Sequence, residues 1–276
     1  MFESLQEAAK GLLVESCGIA NETGLTYVVC GGWSPYLRNA SPIPHPGTKD
    51  VDFLFEAGHE QYELQDAVKL FLSKGYLLSA KHEFQLLRPL TVNGHDFVFN
   101  VDFLHPMETR NSPNLFVDHW ELPVPVNDFG KAQFTSKSIA LPDANFVFQG
   151  YIENETVESK DVSVEVPLID ETALLITKSK SYQSVKRTRD IFDAYLAITQ
   201  PKDKEAFKAK MATLKKLDGD TYSTLEGYKY FINDPKKYHR SKAHFKDAGL
   251  KLDDVRDVFV AFLSDAGFGE TLKPPK

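Results

Sequence analysis

The sequence predicts an α+β fold, a mixed sheet with flanking helices followed by a helical C-terminal domain. Three observations carry this. Short β-branched and aromatic runs are interspersed with helical patterns through the first 166 residues. After Pro167 helical periodicity takes over. The composition, 42% hydrophobic and 26% charged over 276 residues, is that of an ordinary globular chain and excludes disordered, collagen-like and coiled-coil classes. The expected domains are 1–166 and 167–276.

The elements follow in order. Phe2, Leu5, Ala9, Leu12 and Leu13 recur at helical spacing, so 2–16 is expected to be an amphipathic helix. Leu25–Cys30 (LTYVVC) is a short apolar run stopped by Gly31-Gly32, as a buried strand would be. Asp50–Phe55 (DVDFLF) alternates, as a strand with one wet face does. Leu64, Val68, Phe71 and Leu72 mark a second helix, closed by Lys74-Gly75. Residues 84–90 and 97–104 flank Asn93-Gly94, a favoured tight-turn dipeptide, and form a hairpin. Residues 105–145, rich in Pro and Asn, read as a long loop region with short strands, and Phe146–Phe148 and Val162–Val166 as further strands. Helices are expected over 170–183, 185–199, 202–216, 222–232 and 252–264, with Asp170 and Pro201 as starts.

With 32 Lys+Arg against 39 Asp+Glu, the net charge of −7 argues as a sum against a dedicated nucleic-acid binder. Its distribution says otherwise. Residues 176–242 hold 16 Lys/Arg and 8 Asp/Glu, a balance of +8, leaving 16 bases and 31 acids, or −15, for the remainder. No apolar run reaches the roughly 18 residues of a membrane span, and the N-terminal residues carry acids rather than a signal peptide's bases. Cys17 and Cys30 read as small core hydrophobes in a reducing compartment. The expectation is a cytoplasmic protein with no membrane partner.

The chemistry lies in the acids. On a strand, residues i and i+2 share a face, so Asp50 and Asp52 project together. Two adjacent carboxylates repel unless a cation sits between them. A hard divalent ion such as Mg²⁺ takes carboxylate oxygens together with substrate phosphates. Asp102 lies on the face opposite Phe97, Phe99, Val101 and Phe103. If its strand neighbours that of Asp50 and Asp52, three carboxylates converge on one spot. Upstream, an apolar strand runs into Gly31-Gly32-Trp33-Ser34. Glycines let backbone amides approach a phosphate closely.

These residues resemble the nucleotidyltransferase superfamily pattern, a hydrophobic strand and Gly-Gly-x-Ser followed by Asp-x-Asp. The form Thr48-Lys-Asp50-Val-Asp52 is most similar to the AbiEii-type abortive-infection toxins. Leu174-Leu-Ile-Thr-Lys178 and Lys186-Arg187-Thr-Arg189-Asp190-Ile-Phe-Asp193 match that family's later motifs. The resemblance implies the nucleotidyltransferase fold and transfer of a nucleoside monophosphate from an NTP to an acceptor hydroxyl. It implies that Gly31, Gly32 and Ser34 cradle the triphosphate, with Lys178 and Arg187 on phosphate charge. It implies Asp50, Asp52 and Asp102 as ligands of Mg²⁺ or Mn²⁺, with Asp102 also a candidate base. Asp190 or Asp193 fills the last motif. An RNA or tRNA 3′ end as acceptor and an antitoxin protein as partner follow from the same family. A small-molecule or protein acceptor and a catalytically silent NTP-binding module are the alternatives.

The sequence departs from the family in three places. Seventeen residues separate Gly32 from Asp50, Trp33 stands where a small residue is usual, and Pro46 replaces an Arg before the Thr-x-Asp. The eight histidines show no metal-ligand spacing and read as surface or loop residues. Trp33 is either a base-stacking platform or a buried aromatic. The basic stretch, with Tyr228, Tyr230, Phe231 and Tyr238 beside Lys236–Lys242, is either a solvated helical surface or a grip on RNA.

Overall fold

The computed structural model describes residues 2–39, 43, 45–107, 117–126, 130–141, 144–182, 184 and 186–269. The chain divides into two compact units: Met1–Trp33 with Gly47–Leu168, and Ser34–Pro46 with Ile169–Lys276. A change of composition along the sequence marks only one boundary, so the short excursion of 34–46 into the second unit leaves no such sign.

The first unit runs α1 (Leu5–Thr23), β1 (Tyr27–Cys30) and, after Trp33 opens α2 (Trp33–Arg38), β2 (Val51–Phe55) and α3 (Gln61–Ser73). Then come β3 (Leu77–Leu78), β4 (Gln85–Val92), β5 (His95–Pro106), β6 (Val117–Val126), β7 (Gly130–Lys137), β8 (Ile139–Leu141), β9 (Ile152–Ser159) and β10 (Val162–Ile169). The main sheet has the order β3-β4-β5-β2-β1-β10-β9, and β8 pairs with β5 past the end of β4. It is mixed: β2 is antiparallel to β1 but parallel to β5, and β1 is parallel to β10. β6 and β7 form a separate antiparallel pair.

One face of this sheet is aromatic. Phe53 and Phe103 lie opposite each other on β2 and β5, and Phe71 of α3 meets both, with ring centroids 6.1 and 5.5 Å away. Such tilted and edge-on contacts suit the charge distribution of aromatic rings. α1 covers the same face: the Tyr27 hydroxyl donates to Asn21 Oδ1 at 2.7 Å, and Leu12, Leu13 and Cys17 are fully buried. Burial pushes the Cys17 thiol up to about 12, despite a hydrogen bond with Tyr27. α1 runs on past the expected 2–16 because Ile19 and Ala20 extend its buried stripe. It ends where Gly24 adopts φ +71°.

The hairpin pairs Val92 with His95 around Asn93 (φ +49°) and Gly94 (φ +80°), the two left-handed positions of a two-residue turn. Its tip is wet. Phe97 is 39% exposed although it shares a strand face with Phe99 and Val101, which are buried. Two further departures are local. Phe146–Phe148 belongs to a 3₁₀ turn, Asn145–Phe148, rather than a strand. β9 is an unexpected strand: its run IENETVES buries only Val157, too little for a readable alternation.

The second unit holds α4 (Glu171–Ser181), α5 (Asp190–Thr199), α6 (Lys204–Leu217) and α7 (Gly219–Ser223). A 3₁₀ turn (Thr224–Tyr228) leads into α8 (Lys229–Asn233), α9 (Pro235–Arg240), α10 (Lys242–Asp247) and α11 (Leu252–Asp265). Asp170 caps α4 through the Ala173 N–H, while the cap of α6 is Asp203, two residues beyond Pro201. The helix expected over 222–232 is interrupted by the 3₁₀ turn Thr224–Tyr228, and that over 185–199 starts only at Asp190. Tyr228, Phe231, Phe245 and Phe259 form the core; the rings of Tyr228 and Phe231 each lie 5.2 Å from Phe259.

Candidate active site

The sheet pairing sets four residues in one row. Cys30 of β1 lies opposite Asp52 of β2, Asp52 beside Asp102 of β5, and Asp102 opposite Gln85 of β4. Paired positions share a face, so Asp52 and Asp102 stand side by side on the face away from Phe53 and Phe103. Both are half-buried and Asp50, just before β2, is exposed. Asn100 Nδ2 donates to Asp50 Oδ1 at 2.8 Å, and Gln85 Nε2 donates to Asp102 Oδ1 at 2.8 Å.

Asp50 and Asp102 thus each lean on a carboxamide. Among the described residues no three Asp, Glu, His or Cys side chains are already gathered as a metal cage. The donor set is all hard oxygen, the chemistry that Mg²⁺ and Mn²⁺ prefer, and Mg²⁺ characteristically takes one or two carboxylates and fills its octahedron with water and phosphate oxygens. Two neighbouring carboxylates with a third nearby fit that habit.

The turn after β1 is shaped around Asp52. Gly31 has φ +74°, where side chains are strained, and a Cβ built on it would collide with Asp52 Oδ2. Glycine here therefore leaves room for the carboxylate as well as freedom for the turn. Trp33 is fully buried and donates from Nε1 to the Asp50 carbonyl at 2.9 Å. It ties the Gly31-Gly32 turn to the start of β2, which is the buried-aromatic alternative.

The remaining motif residues lie in the helical unit. Ser34, 1% exposed, donates its hydroxyl to the Ile169 carbonyl at 2.6 Å. Lys178 of α4 is buried, with its ammonium 2.6 Å from Asp190 Oδ1 and 2.9 Å from Asp193 Oδ2 of α5. The Ser181 hydroxyl holds the other oxygen of Asp190, and His45 Nε2 lies 3.1 Å from Asp193 Oδ1. Burial alone would pull the Lys178 ammonium down, but Asp193 and Asp190 more than reverse this and hold it above its ordinary value. Burial would likewise raise Asp193; Lys178, His45 and Arg189 outweigh it and hold the carboxyl below the usual carboxylate range. Arg187 sits exposed in the turn before α5.

Sequence reasoning missed several of these residues. His45 and His105, expected at the surface, are buried. Isolated histidines carry no local pattern, and their burial is decided by distant parts of the chain. Gln85 and Asn100 were visible in principle: Asn100 stands two residues before Asp102, and counting back from the Asn93-Gly94 turn pairs Gln85 with Asp102.

No protein-family model and no curated protein matches the chain. Among solved structures it is similar to an antigenic nucleotidyltransferase-like protein from Paracoccidioides brasiliensis, at 16% identity and a TM-score of 0.35, over 82% of this chain and 94% of that one. A TM-score of that size leaves the function to be read from the site's own geometry. No helix among the described residues is long and apolar enough to cross a membrane.

Proposed function

We propose that this chain is a divalent-metal-dependent nucleotidyltransferase, which moves a nucleoside monophosphate from an NTP to an acceptor hydroxyl. The observation that carries the reading is the placement of Asp52 and Asp102 side by side on adjacent strands, with Asp52 against the Gly31 turn. Asp52 and Asp102, with Asp50 beside them, would hold Mg²⁺ or Mn²⁺. Such an ion, when bound, neutralises phosphate charge and makes the acceptor hydroxyl more acidic.

The chain's own residues do the rest. Gly31 and Gly32 let backbone approach the triphosphate without a side chain in the way. In the transfer the acceptor oxygen bonds to the α-phosphorus, the bond to pyrophosphate breaks, and the hydroxyl proton leaves to a carboxylate. Asp102 is the carboxylate proposed to take it. Arg187 is the exposed cation proposed for phosphate charge, while Lys178 and Asp190 join α4 to α5 through their ion pair. Positioning and charge neutralisation are most of what phosphoryl chemistry requires of a protein.

An RNA 3′ end, tRNA included, is the acceptor we favour. Support comes from the basic balance of residues 176–242 and from Tyr230, 54% exposed beside them while Tyr228 and Phe231 are buried. An antitoxin-like protein partner belongs to the same proposal, through the resemblance to AbiEii-type toxins. A second reading, a catalytically silent module, is favoured by one observation: Ser34 and Lys178, expected at the phosphates, are buried and engaged by other groups.

The test is incubation with α-labelled NTPs, Mg²⁺ and total tRNA. Label on RNA is expected, reduced roughly 10³-fold or more in Asp52→Asn. Label on a protein or a small molecule would reassign the acceptor. No transfer to any acceptor, with wild type and Asp52→Asn alike, would sink the enzymatic reading, and retained NTP binding would then establish the silent module.

A further inference from the structure

We infer that Gln85 and Asn100 are positioning residues of the metal site: each holds one oxygen of a carboxylate and thereby fixes where the other oxygen points. The inference rests on the reading of Asp50, Asp52 and Asp102 as metal ligands. Its own basis is the pair of short amide contacts, Gln85 Nε2 to Asp102 Oδ1 and Asn100 Nδ2 to Asp50 Oδ1, both 2.8 Å.

A carboxylate on a strand can rotate about two side-chain torsions, and an ion can use it only in a narrow range of directions. A carboxamide is well suited to restrict it. It donates a charge-assisted hydrogen bond without adding a positive charge that would compete with the cation. Lysine or arginine at either position would neutralise the acid and weaken its attraction for metal. The sheet makes the arrangement rigid. Gln85 faces Asp102 across the β4–β5 ladder, and Asn100 shares its strand face with Asp102. Asp52 is restricted differently, by the Gly31 turn against which its Oδ2 rests. Each of the three acids thus has its own constraint, and two of the three are amides. Outer residues that orient a metal ligand are worth roughly 10–100-fold in metal affinity.

The experiment measures Mn²⁺ binding to the full-length chain by the loss of the free-ion electron paramagnetic resonance signal, without NTP or acceptor. Gln85→Met keeps the reach of the side chain and removes the donor; Asn100→Leu does the same for Asp50. Each is expected to weaken Mn²⁺ roughly 10–100-fold while the thermal midpoint stays near that of wild type. Thr91→Val is the control. It removes a hydrogen bond between the same two strands, Thr91 Oγ1 to Asp96 Oδ1 at 2.7 Å, away from the acids, and should bind Mn²⁺ as wild type does. Because Gln85 acts through Asp102, adding Gln85→Met to Asp102→Asn should change affinity less than about twofold.

Wild-type affinity in both Gln85→Met and Asn100→Leu would overturn the inference, as would a full additive effect on the Asp102→Asn background. If Asp52→Asn loses Mn²⁺ and the amide variants keep it, only this inference falls. If wild type itself binds no Mn²⁺, the metal reading of the site falls with it. Weakened Mn²⁺ binding in the amide variants, in a protein that transfers no label, would leave the inference standing and remove the transferase.

Discussion

Two clusters of aspartates among the described residues are built on opposite plans. In the sheet unit, Asp50, Asp52 and Asp102 are exposed or half-buried, and the contacts that hold Asp50 and Asp102 include neutral amides. In the helical unit, Asp190 and Asp193 are buried and joined to the Lys178 ammonium, with His45 on Asp193. Acids that are neutralised from within hold a structure together. Acids that stay exposed or half-buried on a sheet face can be reached by a charge brought from outside.

The sharpest way to break this contrast is to substitute one member of each cluster and measure both activity and stability. Asp52→Asn should remove transfer, as set out above, yet change the unfolding free energy little, because it keeps the shape of a half-buried side chain. Lys178→Met should do the reverse in kind. It leaves two buried carboxylates without their ammonium, and breaking such a buried pair costs about 3–5 kcal/mol in urea unfolding. If Lys178→Met leaves stability intact and abolishes transfer, the second cluster is catalytic and the contrast is wrong.

Acid titration separates the clusters further. Asp193 is held below the usual carboxylate range, so the native state binds its proton more weakly than the unfolded chain does. Its contribution is fully present above the unfolded value near 3.9 and is lost as pH falls toward the native one. Lys178 is held above its ordinary range, so its contribution is present below about pH 10.4 and is lost only as pH rises through the native value. Urea unfolding from about pH 2.5 to pH 7 should show stability rising with pH, with a shallower slope in Asp193→Asn. An unchanged slope would mean that the buried pair is not what makes the fold acid-sensitive.

Gly31→Ala should cost less stability than Lys178→Met, about 1–2 kcal/mol from the left-handed backbone, and it sharpens the contrast. The added Cβ pushes on Asp52, so transfer should fall at least roughly tenfold, beyond what a local backbone strain explains. Loss of stability with unimpaired transfer would show that the turn serves the fold alone.

Much of the sheet cluster was legible in the sequence because its determinants are local. Alternation placed Asp50 and Asp52 on one face, and Asp102 opposite Phe99 and Val101, and the Asn93-Gly94 dipeptide announced the hairpin. The helical cluster was not legible in the same way. Spacing along the chain offers Lys186 or Arg189 as a partner for Asp190 or Asp193, and Arg189 does lie 3.9 Å from Asp193, but the shorter contacts of Asp193 are to Lys178 on another helix and His45 from a distant segment. Lys178 itself has the sequence context of a solvated residue. Ion pairs across a core are selected by packing, and no period in the chain records them. The interruption of the helix expected over 222–232 has a more local reason: Gly227, a poor helix former, lies in the 3₁₀ turn Thr224–Tyr228.

The two-residue turn at Asn93-Gly94 has a consequence for inheritance. Asp102 lies seven residues along β5 from His95, about 24 Å away, and faces Gln85 only because the ladder is counted from that turn. One residue inserted there and absorbed as a slip would move every β5 side chain to the opposite face. Asp102 would then turn toward Phe71, and Phe103 toward the acids. Such an insertion touches no residue of the site, yet a genetic screen would score it with the null alleles.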